Sequence, residues 1–281
     1  MRAPKKLSPI IKIAKYTLAD EVQHKSFTVI FIMCALFVLF TRGCYRGNVL
    51  VNGHWLDAEA VAWKVSKMTF HIIATGTMFV TALLSMRVLK QDRDEGMLSC
   101  ILSKPIDRWQ YVMGKILGLW VLSVLFMLIL HCIIFLIVLM NTGAIIPEYL
   151  IASFLCSFNL LFVILTVLLL SLLMPDIAAF LCLMGIGIIS FLAEGIYAIA
   201  HSQLMQGMTQ QSYSYPDAGP ARWTIAYYFW PKLSGTQQWA SSLIGNEAFH
   251  GFGPVHPLVN ILFYCLILGS FLFWKFRNTD F

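Results

Sequence analysis

A few polar side chains lie inside otherwise apolar runs of this 281-residue chain, and their chemistry needs explaining first. Glu194 and Asn159 are the clearest cases. A carboxylate in a hydrocarbon setting is costly and marks a candidate path or gate for a transported species. Glu194 falls near the outer end of its apolar run, so water access or a neutral, protonated form fits it too. Asn159 is a candidate for the same path, weighed against a hydrogen bond that holds two helices together. His71 and His131 raise a different chemistry, since two imidazoles on facing helices can ligate a haem iron; the competing reading is hydrogen-bonded packing.

Other chemistries lack their residues. The seven cysteines, at positions 34, 44, 100, 132, 156, 182 and 265, are scattered singly, with no CxxC and no Cys/His spacing for zinc. The 13 methionines show no clustered spacing for copper and read as core packing. No metal ligands are assigned. There is no GxxxxGK[ST] loop to cradle a nucleotide's phosphates, and no nucleophile–base pair or paired carboxylates. No catalytic residue and no cofactor is therefore assigned to this chain.

Composition sets the class of element that must position these groups. With 59% hydrophobic residues, eight Trp, ten Tyr and 21 Phe, and a mean hydropathy of +0.75, the chain reads as an all-α integral membrane protein. Its formal charge of +6 is no nucleic-acid footprint, because in a membrane chain the placement of Lys and Arg sets orientation. The N-terminus is not a secretory signal, since basic residues run to Lys25 and no small-residue cleavage site follows the apolar run.

Six spans are predicted, over 26–41, 68–89, 116–140, 149–174, 177–200 and 258–274, within one transmembrane domain covering 1–281. Pro175-Asp176 breaks the fourth span from the fifth, with Asp176 able to cap the helix that follows. Of the 20 Lys and Arg, six precede the first span, six lie in and beside the connection between spans two and three, and two follow the last. Those 14 against the remaining six predict that both termini and that connection are cytoplasmic, in an inner (cytoplasmic) membrane.

Two further segments have a readable character. Over 8–23, Ile10, Ile11, Ile13, Ala14, Tyr16, Thr17, Leu18 and Val22 interleave with Lys12, Lys15, Asp20 and Glu21, and a helical period gathers most of the apolar side chains on one face, which predicts an amphipathic helix on the inner membrane surface; a solvated basic tail is the competing reading. The external connection 201–257 is rich in Tyr and Trp but broken by Pro216, Pro220 and Pro231. It predicts short helices in the outer interface or dipping back into the bilayer.

The connection 90–115 crowds charge between two apolar runs. Asp92, Asp94 and Glu95 precede Gly96, which permits a tight turn or close approach to a partner. Met97, Leu98, Ile101 and Leu102 follow as an apolar stripe. Pro105 then suits a first helical turn and Asp107 its dipole, predicting a short helix that runs into span three. An ordinary solvated loop is the competing reading.

This run, D-x-D-E-G-M-L-x-x-I-L-S-K-P-I-x-R-W-x-Y-V-x-G-K, resembles the connector between spans two and three of type-2 ABC-transporter permeases. The ending Phe276-Arg277-Asn278-Thr279-Asp280-Phe281 is similar to that family's F-x-R-R-D-F close, except that Asn278-Thr279 stands where a basic residue is usual. The resemblance spans essentially the whole chain. It implies a non-catalytic subunit working in export, the commoner direction in the family, that pairs with a second, identical or related permease. It also implies a separate cytoplasmic ABC ATPase, which carries the ATP and Mg. On that reading Asp92, Asp94, Glu95, Gly96, Leu98, Lys104, Pro105 and Arg108 form the coupling element. The alternatives are a haem-binding membrane anchor using His71 and His131, and a proton-driven transporter using Glu194.

Overall fold

The computed structural model describes residues 9–45, 50–51, 54–55, 58–94, 107–143, 145–200, 227, 229–244, 249 and 256–278. The helices are α1 (Pro9–Gln23), α2 (Lys25–Phe40), α3 (Ala58–Asp94), α4 (Arg108–Thr142), α5 (Glu148–Leu173), α6 (Asp176–Ala200), α7 (Leu233–Ile244) and α8 (Pro257–Arg277). A 3-10 turn, Thr41–Tyr45, follows α2. Two-residue strands, Leu50–Val51 and His54–Trp55, pair antiparallel with Leu50 opposite Trp55. Among the described residues, six helices are long and apolar enough to cross a membrane: all but α1 and α7. The protein is an all-α integral membrane protein.

Local chemistry sets the breaks between helices. His24 leaves helical geometry (ψ 128°) and its Nδ1 accepts the Ser26 N–H at 3.3 Å, which turns α1 into α2. Gly143 closes α4 in the left-handed region (φ 71°), where a side chain would be strained. The Pro175 carbonyl starts the ladder of α6 by accepting the Ala179 N–H, so Asp176 sits in the first turn of that helix rather than capping it. Likewise α4 begins at Arg108, with Asp107 at its N-cap making no side-chain capping bond.

Burial identifies the hub. The most apolar window of α5 is 72% buried, against 6% for α2 and 17% for α6. Helices α3, α4, α6, α7 and α8 all pack on α5. Two cores flank it along its length. One joins Val88, Tyr111, Ile116, Leu165, Leu272 and Phe276, at the end where α4 begins and α8 stops. The other joins Phe70, Ile134, Ile137, Tyr149, Ala240 and Ile244, at the opposite end. We call these the terminal end and the far end.

At the terminal end, α1 is seated on the start of α4 by two glycines one turn apart. A Cβ on Gly114 would stand 2.6 Å from Ile13 Cβ, and one on Gly118 would stand 2.8 Å from the Ala14 carbonyl oxygen. This small-xxx-small spacing lets two backbones approach where larger residues would hold them apart. The amphipathic helix predicted from the sequence thus turns Thr17 and Glu21 inward, where both are buried, and leaves Ile11, Tyr16 and Val22 exposed.

Gly118→Leu is expected to lift α1 from α4 and to lower stability by about 1–3 kcal/mol, the range for overpacking a tight contact. Gly76→Ala, with nothing within 4 Å of the added carbon, is the control and should be neutral or slightly stabilising. Thermal melts in detergent, with limited trypsin cleavage at Lys12 and Lys15, measure both.

Candidate functional site

Two polar constellations are built on this frame. The first lies in the far half, where α7 begins. Twelve residues make α7 about 18 Å long, too short to cross a hydrocarbon core of about 30 Å. Its start is deep: Leu233 is bonded by Asn159, eleven residues into α5, or about 16 Å along that helix. From there α7 runs to the far end, where Ala240 and Ile244 join Tyr149 in the core. This is a helix that dips back into the bundle, one of the two forms the sequence predicts for 201–257; most of that connection lies outside the described residues.

A helix start in an apolar setting leaves backbone groups unpaired unless side chains reach them. Three spans supply those side chains. Asn159 Nδ2 of α5 donates to the Leu233 carbonyl at 2.8 Å. Ser190 Oγ of α6 donates to the Pro231 carbonyl at 2.8 Å and accepts the Leu233 N–H at 3.2 Å. Asn260 Oδ1 of α8 accepts the Lys232 N–H at 3.0 Å. Pro231 contributes no N–H, which leaves one fewer donor to satisfy at this elbow.

Glu194 completes the set. It is 1% exposed, and its carboxylate faces the first turn of α7. Ser234 and the Gly235 N–H are turned toward it and the Lys232 charge acts on it, yet neither carboxylate oxygen closes a well-formed hydrogen bond. A Cβ on Gly235 would fall 3.0 Å from Oε1, so glycine is what admits the carboxylate. The positive end of the α7 dipole and the Lys232 ammonium, 4.8 Å from the Tyr227 ring centroid, face its carboxyl group. The two in-span residues singled out from the sequence, Glu194 and Asn159, therefore meet at one elbow. Ser190, Lys232, Gly235 and Asn260 are partners that sequence reading missed.

Of the histidines, His71 is turned toward Gln237 in the second turn of α7, and His131 stands apart from the elbow. His131 is fully buried, with Nδ1 2.8 Å from Ser153 Oγ. Its ring stacks on Phe70 at 4.9 Å and meets the edge of Tyr149 at 5.3 Å. These neighbours pack around the ring of His131, and His71 packs against the same Phe70.

The second constellation lies at the terminal end. Arg108 Nη1 donates to the Arg277 carbonyl at 3.2 Å, and Tyr111 stacks on Phe276 at 6.1 Å. The close of the chain thus touches the outlet of the 90–115 connection, which joins in space the two stretches that carry the sequence resemblance. A groove of about 570 Å3 opens between α4 and α8 here, flanked by Trp109 and Trp274. Asp92 and Asp94 end α3, with their side chains outside the described residues. Glu95, Gly96, Leu98, Lys104 and Pro105 lie outside the described residues altogether, as does the short helix predicted there.

Hydrogen exchange tests the elbow directly. Ser190→Ala removes the acceptor of the Leu233 N–H and Asn260→Ala that of the Lys232 N–H. Each net bond is worth about 1 kcal/mol, so exchange across 231–236 should quicken about fivefold per variant. Ser270→Ala, whose hydroxyl bonds only within α8 on an exposed face, should leave that peptide unchanged.

Residues 11–244 match the profile of a family described as ABC-2 family transporter protein. No curated protein matches the chain.

Proposed function

Because the chain belongs to the ABC-2 transporter family, a family of membrane-embedded ABC-transporter permeases, we propose that it is the permease of an ABC exporter that works as a pair of permeases. On this reading a separate cytoplasmic ATPase binds ATP and Mg and docks on the connection 90–115, and this chain performs no chemistry itself. The terminal end is cytoplasmic, in keeping with the 14 of 20 Lys and Arg that lie there along the sequence. Export is the direction that the sequence resemblance implies.

One observation carries the coupling: the helix that emerges from the connection is tied at its first residue to the end of the last span. Within its next three turns, Gly114 and Gly118 seat α1 against it. A force applied through Asp92, Asp94, Glu95, Gly96, Leu98, Lys104 and Pro105 reaches Arg108 and then moves α1, α4 and α8 as one piece. Because α4 and α8 also flank the hub α5, that displacement is delivered to the elbow at Pro231–Leu233. Glu194 and Asn159 act there as the gate: the carboxylate holds the start of α7 by its dipole, and the carboxamide fixes its depth.

The assignment is tested by affinity purification from native membranes, comparing the wild type with a Glu95→Lys/Arg108→Glu double variant. An ATPase carrying a Walker motif should accompany the wild type and be lost from the variant, with both proteins equally monodisperse in detergent. Absence of such an ATPase from both preparations would contradict the permease reading.

A further inference from the structure

A cavity of about 340 Å3 lies between α3, α6 and α7, with α5 behind it. Its walls are mostly apolar, and Phe79, Ile188 and Leu192 at its rim are exposed on the sides of their helices. It therefore opens sideways from the bundle, toward hydrocarbon. Among the described residues, no charged side chain lines it. Its polar groups are uncharged and gather on one side: Thr75, Ser234 and Gln237.

His71 is turned toward Gln237, and the other two bonds that Gln237 makes are long or weak. Thr75 Oγ1 donates to Gln237 Oε1 at 3.4 Å, and Gln237 Nε2 donates at 3.2 Å to Met78 Sδ. A thioether is a weak acceptor, so the carboxamide gains by exchanging it for a ligand hydroxyl or ester oxygen. Removing a charged head from water into such a site would be prohibitive, whereas a neutral, hydrogen-bonding head is matched. The volume lies at the low end of ligand pockets, about 300–1,000 Å3, which suits one chain rather than two. Depth separates cargo from a resident lipid. Thr75 is twelve residues into the candidate span Trp63–Met86, or about 18 Å along it, and a resting lipid keeps its head at the interface.

We propose that this cavity binds a neutral single-chain amphiphile taken from the bilayer as cargo, with its head at Thr75, Ser234 and Gln237 and its chain against Leu183 and Ile188. The cargo assignment rests on the permease reading above. The probe is a monoacylglycerol with a diazirine in its chain, added to the permease–ATPase complex in nanodiscs, photolysed, and mapped by mass spectrometry.

Adducts are expected on Thr75–Ala82 and Leu183–Leu192 at several times the level on the lipid-facing α2 segment Val29–Leu39. Gly187→Trp fills the cavity at a position with open space for a side chain, and should lower labelling several-fold. Gln237→Leu should erase the preference for the monoacylglycerol over an alkyl diazirine of equal length. Trapping with Mg-ATP and vanadate should deplete the label. Labelling equal to that of α2, or indifferent to Gly187→Trp, overturns the site. Labelling that persists unchanged through vanadate trapping marks a resident lipid and overturns the cargo claim. Co-purification of the ATPase in the same preparation reads the permease assignment separately.

Discussion

A bilayer offers no water to an unpaired backbone group, and this constraint governs the architecture from the six spans to the elbow of α7. Within a helix the condition meets itself. It becomes demanding only where a helix begins inside the bundle, as α7 does at Leu233. There the Pro231 and Leu233 carbonyls and the Lys232 and Leu233 amides are held by Ser190, Asn159 and Asn260, one side chain from each of three spans. A displacement of α5, α6 or α8 relative to the others must break at least one of these bonds or carry α7 along. The same elbow brings Glu194 to the positive end of a helix dipole, so one short segment concentrates both the backbone needs and a buried carboxyl group.

The terminal end follows a different rule. Close approach, rather than polar satisfaction, joins α1 to α4, and it depends on two hydrogen atoms standing where side chains would otherwise be, at Gly114 and Gly118. Arg108 and Tyr111 add α8 to the same block through Arg277 and Phe276. A rigid block at one end and a many-bonded elbow at the other, joined through the buried α5, is an arrangement suited to passing a displacement across the bilayer. The lateral cavity sits beside that elbow, sharing Leu233 and Ser234 with it.

The spans were legible because apolar length is a strong signal, and the six predicted ranges fall on α2, α3, α4, α5, α6 and α8 with shifts mainly at their ends. Extensions such as α3 back to Ala58 and α4 out to Arg108 carry polar residues that hydropathy discounts. Glu194 and Asn159 stood out as polar groups in apolar runs, but their common partner did not. It is made by a backbone elbow more than 30 residues away in sequence, and no local pattern encodes where a returning helix will stop. Ser190 and Asn260 carry the same in-span signal in weaker form, since a hydroxyl and a carboxamide are common in spans as helix–helix contacts. Gly114-x-x-x-Gly118 was readable as a packing motif, though nothing in one sequence says that its partner is α1 rather than another span. At Pro175-Asp176 a residue favourable to a helix start leaves the boundary open by one position, since Asp176 stands in the first turn of α6 and Pro175 before it.

If the proposed gate at Glu194 and Asn159 operates, the start of α7 must move for the proposed permease–ATPase complex to turn over. Cysteines at Ser190 and Leu233, where the hydroxyl lies 3.2 Å from the backbone N–H, would lock that elbow by a disulfide in a background with the native cysteines replaced. The measurement is ATP hydrolysis by the permease–ATPase complex in nanodiscs, oxidised and then reduced. Turnover is expected to fall on oxidation and to return with reductant, while the ATPase stays bound throughout. Equal turnover with the disulfide formed would mean that the elbow is a static brace, and the coupling described here would be wrong.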